Sequence, residues 1–174
     1  MERQQHKKLV LIGFMGTGKS TVSKLLTEKL GWKRVDGDEE IERLENKRIS
    51  DIFAADGEAG FRVIETQMLE TILTNEESCV LATGGGAVLS AYNRDLMLNH
   101  GLVVALKASP EQIIARVKTD SARPLLHGDA AERVHQLLEQ RKHAYDFAHI
   151  SIDTTDLSAE EVVEAILAQW SLEQ

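Results

Sequence analysis

The sequence predicts a three-layer α/β/α fold built on a five-stranded parallel sheet. Short apolar runs rich in branched residues alternate with longer amphipathic stretches, the pattern of strands interleaved with helices. The chain has 174 residues, 43% of them hydrophobic, enough for one sizeable core and too few for two ordinary domains. No repeat, low-complexity tract or Pro/Gly linker divides it, and its only prolines are Pro110 and Pro124. A single domain over residues 1–174 is expected.

The predicted strands are Lys8–Ile12, Lys33–Val35, Cys79–Ala82, Leu102–Leu106 and His149–Ile152. Parallel neighbours need a crossover at each connection, and right-handed crossovers put helices on both faces. After the first strand, Val22, Leu25, Leu26 and Leu30 keep a helical period. Phe61, Ile64, Met68 and Ile72 recur at spacings of three and four and mark another core-facing stripe. Ser109-Pro110-Glu111-Gln112 and Ser158-Ala159-Glu160-Glu161 each place a hydroxyl cap three residues before a Gln or Glu, a helix-start signature. The last helix runs on Val162, Val163, Ile166, Leu167 and Trp170. Asp120–Asp129 shows no period, and a loop of that length in a compact domain is either disordered or a functional lid. A mobile lid is expected over about 118–130.

Composition narrows the function. Twenty basic against 28 acidic side chains give a net charge of −8, the wrong sign for a generic nucleic-acid or anionic-membrane surface. Cys79 is the only cysteine, which leaves no intramolecular disulfide or multi-thiolate zinc site and fits a reducing, cytoplasmic setting. Within an apolar strand it reads as an inert core thiol. The polar Met1–Lys8 and the short apolar run Leu9–Ile12 resemble neither a signal h-region nor a membrane span. The six histidines show no paired-ligand spacing. Without a heptad seam or an evident exposed apolar stripe, a monomer is expected.

The chemistry sits in the turns. Gly13-Phe14-Met15-Gly16-Thr17-Gly18-Lys19-Ser20 matches G-x-x-x-x-G-K-[ST] between a strand and an amphipathic helix. Its glycines let backbone N–H groups surround a phosphate, Lys19 reaches the β/γ oxygens and the Ser20 hydroxyl can ligate magnesium. Asp36-Gly37-Asp38 opens a segment with six carboxylates against Arg43 alone. The two aspartates either divide metal holding and proton acceptance between them or cap the next helix. Arg62 and Glu65 lie one helical turn apart, on the polar side of the Phe61 stripe. They form either a solvated ion pair or a guanidinium held by Glu65 and aimed at an anionic substrate group. Gly84-Gly85-Gly86 follows the third strand at the edge where ligands bind in open α/β sheets, as a plain turn or as an edge a substrate can approach closely. Arg116, Arg123 and Arg141 read singly as surface residues, although Arg123, beside Pro124, is placed for a mobile arginine closing on a triphosphate.

Taken together, these segments resemble the shikimate kinases, within the nucleoside monophosphate kinase-like group of P-loop proteins. The likeness covers about residues 8–170. It rests on the phosphate loop, Asp36-x-Asp38-x-x-Ile41-Glu42, Gly57-Glu58-x-x-Phe61-Arg62-x-x-Glu65, Gly84-Gly85-Gly86-Ala87, Arg123-Pro124-Leu125-Leu126 and Arg141-x-x-x-Tyr145, in the family's order and approximate spacing. Gly37 stands where the family more often has Thr or Ser, and Asp153-Thr154-Thr155-Asp156 matches only loosely.

The resemblance implies transfer of the ATP γ-phosphoryl group to the 3-hydroxyl of shikimate, on the route to aromatic amino acids. It implies nucleotide contacts at Gly16, Thr17, Gly18, Lys19, Ser20, Thr21, Arg116 and Arg123. Mg2+ would be held by Ser20 and, through water, by Asp36. Asp38 would bind shikimate hydroxyls and accept the proton, in a substrate-binding helical segment over about 37–65. Arg62 and Arg141 would clamp the carboxylate, Gly84, Gly85 and Gly86 would offer backbone contacts, and Asp153–Asp156 would border the base. Lys19, Asp38 and Arg123 would be catalytic. The competing readings are a gluconate or nucleotide kinase on the same fold and a non-catalytic nucleotide-binding regulator.

Overall fold

The computed structural model describes residues 6–118 and 130–173. Strands β1 (Lys8–Gly13), β2 (Lys33–Asp36), β3 (Cys79–Ala82), β4 (Leu102–Lys107) and β5 (Ile150–Asp153) form one sheet in the order β2-β3-β1-β4-β5. All four pairings are parallel, and Val10 of β1 lies opposite Leu81 on one side and Val103 on the other. Each predicted strand is present within one residue at either end. The small differences arise because a ladder ends where its hydrogen bonds stop, one residue past the last apolar side chain in β1, β2 and β4.

Helices α1 (Lys19–Leu30), α2 (Gly37–Glu45), α3 (Ile49–Thr74), α4 (Ala91–His100), α5 (Pro110–Lys118), α6 (Ala130–Gln140) and α7 (Ala159–Glu173) form the outer layers. Because β1 is central, both its faces are buried. Leu9 and Leu11 join Val22 and Leu26 of α1 and Val163 and Ile166 of α7, whereas Val10 and Ile12 join Met68 and Leu69 of α3, Met97 of α4 and Ile113 of α5. Full burial of such side chains stabilises by about 1.5–3 kcal/mol each.

The hydroxyl signals mark true helix starts. Ser158 Oγ accepts from Glu161 N at 3.1 Å while Glu161 Oε1 accepts from Ser158 N at 3.5 Å, and Ser109 Oγ accepts from Gln112 N at 3.2 Å. Helix α3 is broken at Gly57, whose φ of 69° and ψ of −176° lie outside helical space. The break brings Phe53 back onto Phe61, their ring centroids 4.7 Å apart.

Parallel strands present their carboxyl ends along one edge. The phosphate loop follows β1 there, Asp36 ends β2, Gly84–Gly86 follow β3, and Thr154, after β5, is tied to β4 by its N–H donating to the Lys107 carbonyl at 2.7 Å. Among the described residues no helix is long and apolar enough to cross a membrane. Arg123, Pro124 and nearly all of the expected lid lie outside the described residues.

Candidate active site

The phosphate loop leaves β1 and enters α1 through glycines with positive φ, 76° at Gly16 and 95° at Gly18. Gly18 caps α1 without a side chain, so the first-turn N–H groups of Lys19, Ser20 and Thr21 face outward with the helix's partial positive charge. Buried Thr17 steadies the loop by donating to the Phe14 carbonyl at 2.8 Å. Lys19 Nζ donates to the carbonyls of Gly13 and Phe14 at 2.6 and 2.9 Å. From α5, Arg116 Nη1 donates to the Gly16 carbonyl at 2.8 Å and brings a second cation to the loop.

Asp36 divides its two oxygens. Oδ1 accepts from the N–H groups of Asp38 and Glu39, both at 3.1 Å, and so caps α2. Oδ2 faces Ser20 Oγ at 3.5 Å. Helix capping and a hard oxygen beside Ser20 therefore coexist in one side chain. Asp38 is exposed at its surface, yet its carboxyl lies against Gly84. Loss of hydration there, with the charges of Asp36 and Glu42, pushes its carboxyl above the ordinary 3.8 against the opposing pull of Lys19 and Arg62.

The remaining groups meet on Gly84–Gly86. A Cβ on Gly84 would stand 3.0 Å from Asp38 Oδ1 and 3.4 Å from Glu65 Oε2; one on Gly85 would stand 3.2 Å from Arg141 Nη1; one on Gly86 would run into the Arg62 guanidinium. Any larger residue would displace the charged groups, which is why this edge needs glycine. Arg62 Nη1 donates to Glu65 Oε1 at 2.9 Å, and Glu65 is only 1% exposed. The Arg62–Glu65 pair is thus not on a solvated polar face: Glu65 lies on the buried face of α3, one turn from both Phe61 and Met68. Burial raises the Glu65 pKa while Arg62 opposes the rise. Arg141 reaches the same edge from the turn after α6, its guanidinium 5.8 Å from the centroid of buried Phe14.

Beside the phosphate loop, a cleft of about 200 Å³ is lined by Thr17, Gly18, Thr21, Arg116, Thr154 and Leu157, among others. Lys19, Ser20, Asp36, Asp38, Arg62, Gly84–Gly86, Arg116 and Arg141 therefore all stand at one sheet edge, and Arg123 lies outside the described residues. Asp153 and Thr155 are turned into a local knot, Asp153 Oδ1 accepting from Thr155 Oγ1 at 2.6 Å, and of that segment Thr154 lines the cleft. Sequence reasoning gave no role to Tyr145, whose hydroxyl donates to the Gly85 carbonyl at 2.8 Å, although its spacing from Arg141 was a usable signal. Nothing in the sequence marks Phe14 as the floor beneath Arg141.

The arrangement offers one anion cradle at the phosphate loop and, along the same edge, a second built from two guanidiniums with a carboxylate between. Residues 15–171 match the family model described as shikimate kinase. A curated shikimate kinase of Thermodesulfovibrio yellowstonii is 43% identical over 165 residues, which cover 94% of this chain and 95% of the relative. The structure of shikimate kinase from Acinetobacter baumannii in complex with shikimate superposes with a TM-score of 0.89 at 37% identity, covering 96% of this chain and 94% of that one. A gluconokinase from Sinorhizobium meliloti, at 19% identity and a TM-score of 0.60 over 98% of this chain and 94% of that one, shares the fold alone. With the sheet order, the phosphate loop and the glycine edge in place, this near full-length likeness establishes that the chain belongs to the shikimate kinase family.

Proposed function

We propose that this enzyme transfers the γ-phosphoryl group of ATP to the 3-hydroxyl of shikimate, giving shikimate 3-phosphate and ADP. The observation that carries the reading is the meeting of Arg62, Arg141 and Asp38 over Gly84–Gly86, on the same edge as the phosphate loop. Two guanidiniums suit one carboxylate, because each offers a planar fork of donors. Asp38, on the same edge, suits the hydroxyls of a small polyol acid.

Phosphoryl transfer asks little covalent work of a protein and much positioning and charge neutralisation. The open amides of α1 and the Lys19 ammonium serve the phosphates, and Arg116 with the Thr154–Leu157 wall serves the rest of the nucleotide. Asp38 receives the proton of the attacking hydroxyl. Its raised pKa brings the carboxylate closer to matching a proton leaving at neutral pH. Ser20 Oγ and Asp36 Oδ2 are hard oxygens 3.5 Å apart, a donor set that fits Mg2+, which keeps several waters and takes few protein ligands. When bound, the ion neutralises charge on the phosphates. Ser20 would be its direct protein contact, and Asp36 would hold it through water. We place the enzyme in the cytoplasm, a reducing compartment in keeping with its single thiol.

ADP release measured side by side with shikimate, gluconate and nucleoside monophosphates tests the assignment. Turnover is expected with shikimate, and faster turnover with either alternative would reject it.

A further inference from the structure

Two buried side chains that the reaction does not use hold the glycine edge by its carbonyls. Tyr145, 7% exposed, donates to the Gly85 carbonyl at 2.8 Å, and Asn93, 1% exposed, donates from Nδ2 to the Ala87 carbonyl at 3.0 Å. Buried polar groups keep their partners because an unmade bond is costly, so each contact fixes a backbone orientation. In a trans, planar peptide the N–H points opposite the carbonyl. Tyr145 therefore also sets the direction of the Gly86 N–H, on the residue that lies against Arg62.

Each contact continues to a different arginine. Tyr145 follows Arg141 by one turn, the Ala144 N–H donating to the Arg141 carbonyl at 3.0 Å, and a Cβ on Gly85 would touch both Arg141 Nη1 and Tyr145 Oη. Asn93 Oδ1 accepts from Thr66 Oγ1 at 2.8 Å, and Thr66 lies one turn after Arg62 on α3, next to Glu65. The Asn93 N–H is itself directed at Ser90 Oγ, the cap of α4. A hydrogen-bonded path thus runs from α3 through Thr66, Asn93, the glycine edge and Tyr145 to the Arg141 turn.

We propose that Tyr145 and the Thr66–Asn93 pair are positioning residues that hold Arg62, Arg141 and the glycine edge as one unit for the acceptor substrate. This rests on the reading that both arginines bind the acceptor's carboxylate. Residues serving only stability would alter unfolding without separating the two substrates.

Steady-state kinetics of Y145F, N93A and T66V, varying shikimate and ATP in turn, tests it. Each variant is expected to raise the shikimate KM about 3- to 10-fold, the value of one hydrogen bond, and to leave the ATP KM within about twofold. T66S keeps the hydroxyl and should return the shikimate KM toward that of the parent. T66V covers the case in which N93A fails to fold. In the Y145F/T66V double variant the effect should differ from the product of the singles by more than about twofold. A simple product overturns the coupling, as does a shikimate KM unchanged in both Y145F and T66V, or an equal rise in both KM values. R62A separates the levels. If it leaves the shikimate KM unchanged, the carboxylate reading and the proposal fall together; if it raises that KM while Y145F and T66V do not, the proposal alone falls.

Discussion

Asp36 and Asp38 stand two residues apart and face different demands. Asp36 points one oxygen along α2 and the other at Ser20, so it is fixed by the helix it starts. Asp38 makes no such cap, and its carboxyl titrates above 3.8, first through lost hydration beside the glycine edge. In the proposed role its ionised form accepts the proton, so competence is present above that raised pKa and is lost as pH falls through it. We expect kcat/KM for shikimate to show an acidic limb with its midpoint above 3.8. In D38N the limb should vanish and kcat should fall about 100-fold or more, the usual worth of a positioned base. A D38N enzyme with kcat near that of the parent would remove Asp38 from this role. In the sequence the pair was readable as caps or as catalytic groups; the direction of each oxygen shows that the capping falls to Asp36.

The elements show which local signals suffice. Capping signals are read within four residues, and the Ser109 and Ser158 caps appear where the sequence places them. The break in α3 is different, because Gly57, between the exposed Asp56 and Glu58, lies ahead of the Phe61 stripe and only its backbone angles show that the chain turns there. Its φ of 69° and ψ of −176° fall in a region essentially reserved for glycine, yet a Cβ there would meet nothing within 4 Å. G57A should therefore cost about 1–3 kcal/mol through backbone strain alone. Urea unfolding measures this, and an unchanged midpoint would show that α3 straightens freely. The break also returns Phe53 to Phe61, beside Arg62, so G57A should weaken shikimate binding more than ATP binding.

At the scale of the molecule, a net charge of −8 coexists with a cationic edge. Residues 36–45 carry six carboxylates against Arg43, and residues 153–174 carry six with no Lys or Arg, while Lys19, Arg62, Arg116 and Arg141 converge from four separate segments. The surface opposes long polyanions while the cleft suits small ones. Arg62 stands at the glycine edge and Lys19 in the phosphate loop, so their effects should separate. R62A is expected to raise the shikimate KM about 10- to 100-fold, as for a hydrogen bond to a charged group, with little change in the ATP KM. K19A should instead lower kcat by about 100-fold or more; matched losses in both variants would contradict this division. Strand positions, helix starts, the phosphate loop and the family were legible in the chain because each depends on residues close together in sequence. The inward turn of Glu65, the floor of Phe14 beneath Arg141 and the contacts of Tyr145 and Asn93 on the glycine edge were not. Tyr145 and Gly85 are 60 residues apart and Thr66 and Asn93 27, Phe14 and Arg141 come from opposite ends of the chain, and only the parallel sheet, by bringing every strand's carboxyl end to one edge, decides that these side chains meet.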